Sequence, residues 1–355
     1  MARKFLLYGA YGYTGRLIAE LAKEQGMEPV LAGRSSEKTR QLAEELEMEY
    51  RVFGLDSAEG IDDGLDGMPV VLHTAGPFVH TARPMMEACL RNGIHYLDIT
   101  GEIDVFEMAA SLGVKAKDSG VMLMPGTGFD VVPTDCTALY LKEALPDATH
   151  LQLAFSTGGS RSSKGTALTM TEILGEGGAV RENGKIKKVP LGHQTMEVAF
   201  AEGRTRFCMT IPWGDVSTAY YTTGIPNIEV YTSVHPKTYR YIKLQPYFNW
   251  LLRASFVRNM VKKRIRKGPA GPTIEERKRG RSYIWGKAWN DKGDTKVARL
   301  ATPEGYGLTA HSSLIIASKV LEGNAPAGFQ TPAGAYGSGL ILEVPGSVME
   351  EPKDQ

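Results

Sequence analysis

Two hydrophobic patterns alternate along the first third of the chain. One is a short strand-like run: Phe5-Leu6-Leu7-Tyr8, Pro29-Val30-Leu31-Ala32, Arg51-Val52-Phe53, Val70-Val71-Leu72, His95-Tyr96-Leu97 and Val121-Met122-Leu123-Met124. The other is a stripe that recurs every three or four positions. Leu17, Ile18, Leu21 and Ala22 form one within 16–24, and Leu42, Ala43 and Leu46 form another after a capping Ser35 or Ser36. Met85, Ala88 and Cys89 form a third within 84–91, with Gly93 placed to close that helix. Strands joined through helices pair in parallel with right-handed crossovers. The predicted fold is α/β, with an N-terminal doubly wound parallel (Rossmann) sheet.

From about residue 150 the rhythm changes. Strand-like runs at 151–156, 196–200, 207–211 and 297–301 are separated by few crossover helices, which predicts a second, α+β domain of mainly antiparallel sheet. Residues 164–174 read as a helix, with Ala167, Leu168, Met170, Ile173 and Leu174 apolar. Residues 307–321 read as another, which would pack back on the first domain through Leu314, Ala317 and Val320.

Composition narrows the class. Of 355 residues 42% are apolar and 23% charged, globular values, and the net charge of +1 gives no field for nucleic acid as a partner. Three cysteines, Cys89, Cys136 and Cys208, exclude a disulfide scaffold and suit a reducing compartment. His73, His193, His235 and His311 lie apart without metal-ligand spacing, so no metal is expected. The apolar run after Met1-Ala2-Arg3-Lys4 is too short for a signal-peptide core, and no apolar stretch reaches the roughly 18 residues of a membrane span. The expectation is a cytoplasmic protein.

The first strand runs into Gly9-Ala10-Tyr11-Gly12-Tyr13-Thr14-Gly15 and then a helix. In that context Gly9 permits the tight turn, Gly12 lets backbone approach a pyrophosphate, and Gly15 lets helix pack on strand; the anion sits on the helix N-terminus beside Tyr11, Tyr13 and Thr14. An ordinary strand-turn-helix is the competing reading. At the end of the second strand Gly33-Arg34-Ser35 stands where a carboxylate would bind a ribose hydroxyl. Arg34, Ser35 and Lys38 instead suit a 2′-phosphate, which predicts NADP(H). Ala75, Gly76 and Pro77 follow the fourth strand, where small residues admit the nicotinamide half. Asp98 and Glu102 follow the fifth, as acid/base groups or as caps of strand-end amides. Asp130 precedes Pro133 at a helix start and is the third catalytic candidate, its competing role being a first-turn carboxylate. Ser160-Arg161-Ser162-Ser163-Lys164 could cradle an anionic substrate group or form a plain loop.

The runs His73-Thr74-Ala75-Gly76-Pro77-Phe78, Gly93-Ile94-His95-Tyr96-Leu97-Asp98, Thr100-Gly101-Glu102 and 125–135, the last reading Pro-Gly-Thr-Gly-Phe-Asp-Val-Val-Pro-Thr-Asp, resemble the saccharopine dehydrogenase-like family. Gly271-Pro272-Thr273, Thr302-Pro303-Glu304-Gly305-Tyr306 and Gly328-Phe329-Gln330-Thr331-Pro332-Ala333 look closest to its trans-acting enoyl reductase subgroup. The resemblance covers nearly the whole chain. It implies an NADP-binding Rossmann domain, an α+β domain inserted after it, and a C-terminal segment that returns. With the pattern above, it divides the chain into 1–130, 131–304 and 305–355.

One segment breaks the charge balance. Residues 235–267 hold ten Lys/Arg and no Asp/Glu, and 235–281 hold fourteen against two. Aromatic and aliphatic residues interleave, and Trp250, Leu251, Val257 and Val261 recur at helical spacing. A basic amphipathic helix could lie on an anionic membrane, making the protein peripheral to it, or grip an acidic carrier protein, or simply pack in its own domain.

The function these features imply is an NADP(H)-dependent oxidoreductase that transfers hydride to an unsaturated acceptor. The substrate would be an enoyl/acyl or isoprenoid-type molecule, free or carrier-bound, since no set of arginine clamps for an amino-acid imine is visible. Two rivals stand: a saccharopine-type C–N dehydrogenase, and an NADPH-binding sensor or scaffold that uses the basic segment. A homodimer is a further expectation.

Overall fold

The computed structural model describes residues 4–158 and 161–354. The first unit runs β1 (Lys4–Tyr8), α1 (Tyr13–Glu24), β2 (Glu28–Gly33), α2 (Ser36–Leu46), β3 (Tyr50–Val52), α3 (Ala58–Leu65), β4 (Val70–His73), α4 (Phe78–Asn92), β5 (His95–Asp98), α5 (Ile103–Ser111), α6 (Gly113–Asp118) and β6 (Met122–Met124). Then come α7 (Val132–Ala144), β7 (His150–Gly158), α8 (Lys164–Glu172), β8 (Gly178–Glu182), β9 (Lys185–Val189), β10 (Thr195–Ala201), β11 (Arg204–Thr210), α9 (Asp215–Thr223) and β12 (Asn227–Ser233). Three short helices follow: α10 (Pro236–Ile242), α11 (Gln245–Leu252) and α12 (Ser255–Lys267). The chain continues through α13 (Ile274–Arg279), β13 (Arg281–Trp289), β14 (Thr295–Pro303), α14 (Gly305–Leu321), β15 (Gly328–Phe329), α15 (Pro332–Tyr336), β16 (Val348–Met349) and β17 (Lys353–Asp354).

The first sheet has the order β15-β6-β5-β4-β1-β2-β3, and every pairing in it is parallel. Both of its faces are covered, which is why β1 is apolar at successive positions. Phe5 and Leu7 enter a core with α1, α2 and α14, while Leu6 and Tyr8 enter a separate core with α3 and α4. The order reverses between β1 and β4. Loops 9–12 and 74–77 therefore leave the sheet side by side and frame a crevice at the carboxyl ends of the strands.

The second sheet has the order β10-β11-β12-β7-β13-β14-β16, with β8–β9 attached to β12 and β17 to β14. Its pairings are antiparallel except for β12 on β7. Helix α7 covers it where Gly286 gives room for Leu141 and Thr137, and the core of the α1/α14 face continues into this sheet through Val132, Leu141, Leu153 and Ile284. As expected, α14 packs back on α1, β4 and β5.

Several expectations need correction. The stripe expected at 84–91 lies inside a helix that starts at Phe78, with Pro84 in its interior. Ser35 holds the N-cap position of α2, but its hydroxyl bonds to no helix amide. The basic segment is not one helix: Trp250 and Leu251 lie on α11, whereas Val257 and Val261 lie on α12 beyond a break at Arg253 and Ala254. Strands β8, β9, β12 and β13 add to the four runs expected in the second sheet.

Candidate active site

The amino end of α1 is left bare. Gly9 adopts φ +85°, a left-handed turn suited to glycine, and its amide and that of Ala10 reach Ala32 O of β2. A side chain at Gly15 would meet Gly9 O at 2.5 Å and Thr74 Oγ1 at 2.9 Å, so only glycine lets α1 approach β1 and β4 this closely. Gly12 is the N-cap residue, no side chain caps the helix, and no acid lies in its first turn. Uncapped amides and the helix dipole together make an anion seat.

Around it, Tyr11 lies against Gly33, with the Lys38 ammonium 5.9 Å from its ring centre. Arg34 is exposed and has no ion-pair or hydrogen-bond partner among the described residues. The Ser35 hydroxyl is likewise not spent on its helix. Thr14 reaches the cavity described below. Tyr13 faces another element: its hydroxyl donates to Pro272 O at 2.7 Å, and its ring meets Tyr306 edge-on at 5.1 Å. Ala75, Gly76 and Pro77 form the second lip, joined by a cis Gly76–Pro77 bond and held by the Thr81 hydroxyl, which donates to Ala75 O and Pro77 O. His73 lies beneath, its Nε2 3.0 Å from Thr81 Oγ1; burial pushes its pKa down to about 3, so it is neutral.

The three carboxylates fare differently. Asp98 is fully buried and accepts from the Thr100 and Gly126 amides through Oδ1 and from the Tyr96 hydroxyl through Oδ2. It braces the ends of β5 and β6 and does not line the cavity. Burial pushes its pKa up to about 7 against those donors. Glu102 lines the cavity, but its two oxygens accept from the Phe78 and Val79 amides, both at 2.8 Å. It caps α4 from the N-cap position of α5, just past β5, and burial still raises its pKa. Asp130 lines the same cavity, half-buried against Gly101, and makes no hydrogen bond among the described residues. It does not cap α7, whose N-cap is Val131. Burial, with the charge of Glu102 adding to it, pushes its pKa up to about 7.

The cavity measures about 560 Å³ and joins the two sheets. Thr14, Thr74 and Gly76 border it on the dinucleotide side. Phe78, Ile99, Met170, Ile173, Ile186 and Trp213 give it apolar walls. Arg258 is its sole arginine among the described residues, and it is held by Glu176 and Leu174 O, both at 2.8 Å. Of the run expected to cradle an anion, Ser163 lines the cavity among the described residues. Ser160 lies outside the described residues, Arg161 pairs with Glu276, and the Ser163 hydroxyl caps α8 through the Thr166 amide. Among the described residues no three metal-ligating side chains gather.

Residues 5–124, which hold both lips of the crevice, match the family described as the saccharopine dehydrogenase NADP binding domain. The first unit is an NADP-binding domain similar to that family's. A saccharopine dehydrogenase-like oxidoreductase of Homo sapiens is 29% identical over 160 residues, which is 39% of this chain and 37% of that protein. A putative trans-acting enoyl reductase of Mycobacterium tuberculosis is 31% identical over 185 residues, 48% of this chain and 43% of that protein. The chain thus spans roughly two fifths of the length of the curated relatives it matches. The fold as a whole is like that of apo saccharopine dehydrogenase (L-Glu forming) from Saccharomyces cerevisiae. The TM-score is 0.67 over 99% of both chains, at 12% identity.

The pattern of residues missed Trp213 and Arg258, which reach the cavity from a strand end and from the basic segment. A Pro-Trp pair just after an apolar strand was the available signal for the first; Arg258 gave none among so many cations.

Proposed function

We propose that this protein is an NADP(H)-dependent oxidoreductase that reduces the C=C bond of an enoyl/acyl or isoprenoid-type substrate, free or carrier-bound. In this reading 1–130 holds the cofactor, 131–304 supplies most of the substrate walls, and 305–355 returns to the first sheet. The observation that carries it is the cavity: apolar walls run from the lips of the NADP-binding domain to an unpartnered Asp130 carboxyl.

The residues present fit NADP(H). The bare amino end of α1, with Gly9, Tyr11, Gly12, Thr14 and Gly15, would take the pyrophosphate; unpaired Arg34 and the Ser35 hydroxyl would take the 2′-phosphate. Ala75, Gly76 and Pro77 would border the nicotinamide, and Tyr13 would hold the seat through Pro272. The chemistry the cofactor supplies when bound is a hydride for the β-carbon of the acceptor. Asp130, protonated near neutral pH, gives the α-carbon its proton, and solvent reprotonates it. Glu102 keeps the negative charge near Asp130 that favours its protonated form, and Asp98 positions the loop that carries Thr100 to Glu102. The apolar walls exclude water. An amino-acid imine would need cationic clamps for its carboxylates; among the described residues only Arg258, already held by Glu176, and Lys188 bring Lys or Arg to the cavity wall. The relative named as an enoyl reductase supports the same choice.

The test follows NADPH consumption with α,β-unsaturated thioesters and with a polyprenyl enone, beside a 2-oxo acid plus amine. Turnover of the unsaturated acceptors alone is the expected result. Turnover of the imine-forming pair alone would transfer the assignment to C–N chemistry. Tight NADPH binding with no turnover of either would leave a sensor.

A further inference from the structure

We propose that α10–α12 form a docking platform for the surface of an anionic lipid bilayer. No residue of these three helices is buried, although the segment is rich in large apolar side chains. Seven of the seventeen large hydrophobics that are exposed among the described residues fall within 241–260. They include Tyr247 at 76% and Trp250 at 73% exposure. Such a concentration of exposed aromatic surface is foreign to a face that meets only water. Phe256 and Met260 share one face of α12 with Lys263 and Lys267, in steps of four, three and four residues, so the apolar row passes directly into cations.

Charge selects the occupant. Of the ten cations in 235–267, Arg253, Arg258 and Lys262 pair with Glu176 or Glu172. The other seven are exposed and have no ion pair among the described residues, and the segment has no acid of its own. Aromatic side chains flanked by free Lys and Arg suit the boundary of a bilayer, where the rings enter the headgroup layer and the cations meet anionic phosphates. A protein partner would be expected to bury its aromatic anchors in pockets and satisfy charges pair by pair. The spread of seven cations over three helices suits a planar surface of diffuse negative charge.

The platform also borders the cavity. Arg258 and Lys262 on the other side of α12 pair with Glu176 just past α8 and Glu172 within it, while Met170 and Ile173, about half exposed, belong at once to the outer surface and to the cavity wall. A bilayer held against α10–α12 would thus lie beside the mouth through which an apolar acceptor enters. What the contact serves, the delivery of a lipid-borne acceptor, rests on the reductase reading. The contact itself does not.

The test therefore uses substrate-free vesicles and the full-length protein. Phosphatidylcholine vesicles with and without phosphatidylglycerol are sedimented with wild type, with Trp250→Ser/Phe256→Ser/Met260→Ser and with Lys263→Glu/Lys267→Glu. Melting temperature and NADPH affinity serve as controls for folding. Wild type is expected to partition about tenfold or more better onto the anionic vesicles, and less so in high salt. Each variant should lose most of that gain while keeping its NADPH affinity. Trp250 emission should shift to the blue on anionic vesicles, and Trp250→Phe should abolish the shift. Equal partition onto both vesicle types would overturn the proposal, as would full retention by the variants. So would selective capture of an acidic carrier protein, or a patch-dependent dimer in sedimentation velocity, without vesicle binding. Vesicle binding by a protein that turns over none of the unsaturated acceptors would sink only the reductase reading.

Discussion

The amino ends of α1 and α4 flank the same crevice of the parallel sheet and are finished in opposite ways. Both present amides without intrahelical partners and the positive end of a helix dipole. At α1 glycines crowd the turn, no side chain caps it, and Arg34, exposed just past the neighbouring β2, has no ion pair among the described residues. At α4 the anion is internal: Glu102 reaches across from the end of β5 and takes the amides of Phe78 and Val79. One helix end is a receptor that needs an outside anion, and the other is already neutralised. A second anion gains little by entering at α4, which on the proposed reading leaves the cavity beyond it to an uncharged acceptor. On that reading the fold separates a polar cofactor seat from an apolar substrate seat by satisfying one helix end internally and not its neighbour.

Moving the internal anion is the strongest way to break this contrast. Gly12→Asp should cap α1 and leave the melting temperature nearly unchanged, while NADPH affinity in a fluorescence titration falls about a thousandfold, because the new carboxylate faces the pyrophosphate. Next comes the carboxyl that neither helix end neutralises. Asp130→Asn should lower turnover of an enoyl acceptor about a hundredfold with NADPH affinity intact. Since the pKa of Asp130 is raised to about 7, the wild-type rate should fall as pH rises through 7. The sign for stability is the same: a group that binds its proton more tightly folded than unfolded stabilises at low pH and loses that contribution as pH rises through 7. The melting temperature should therefore drop between pH 6 and 8, and less steeply in Asp130→Asn. Asp98, with its pKa also near 7, keeps part of the slope. A smaller effect belongs to Arg34→Asp, expected to cost NADPH about thirtyfold in affinity and NADH almost nothing. Smallest is Glu102→Ala, which unseats the α4 cap: about 1–2 kcal/mol of stability by denaturant melts, with NADPH affinity within about threefold.

The same contrast marks what could be read from the chain. The α1 turn was legible because its spacing is local, with all three glycines and the helix start lying within a few residues. The α4 cap was not, because it depends on a carboxylate arriving from the next strand, and the helix seemed to begin near Pro84 when its tethered start is Phe78. Asp98 and Asp130 looked alike as carboxylates at segment ends. Only the meeting of Thr100, Gly126 and Tyr96 around one, and of nothing around the other, tells them apart. In the second sheet β13 escaped notice because Gly286 and Lys287 interrupt its apolar pattern, though it is paired along its whole length on both sides. The basic segment was read as one helix because the apolar spacing happens to continue across a break that only the backbone reveals.

The parallel sheet has one more property, set by the order in which the chain is made. One edge strand, β15, pairs with β6 only after strands β7 to β14 of the second sheet have been synthesised, and α14, which covers the sheet beside α1, comes just before it. A growing chain that has passed β6 therefore carries an open strand edge and a bare apolar face while the rest is still being translated. The two sheets cannot mature one after the other. The first is finished by the last part of the chain, so truncation before Gly328 should harm the NADP-binding half as much as the half that was cut.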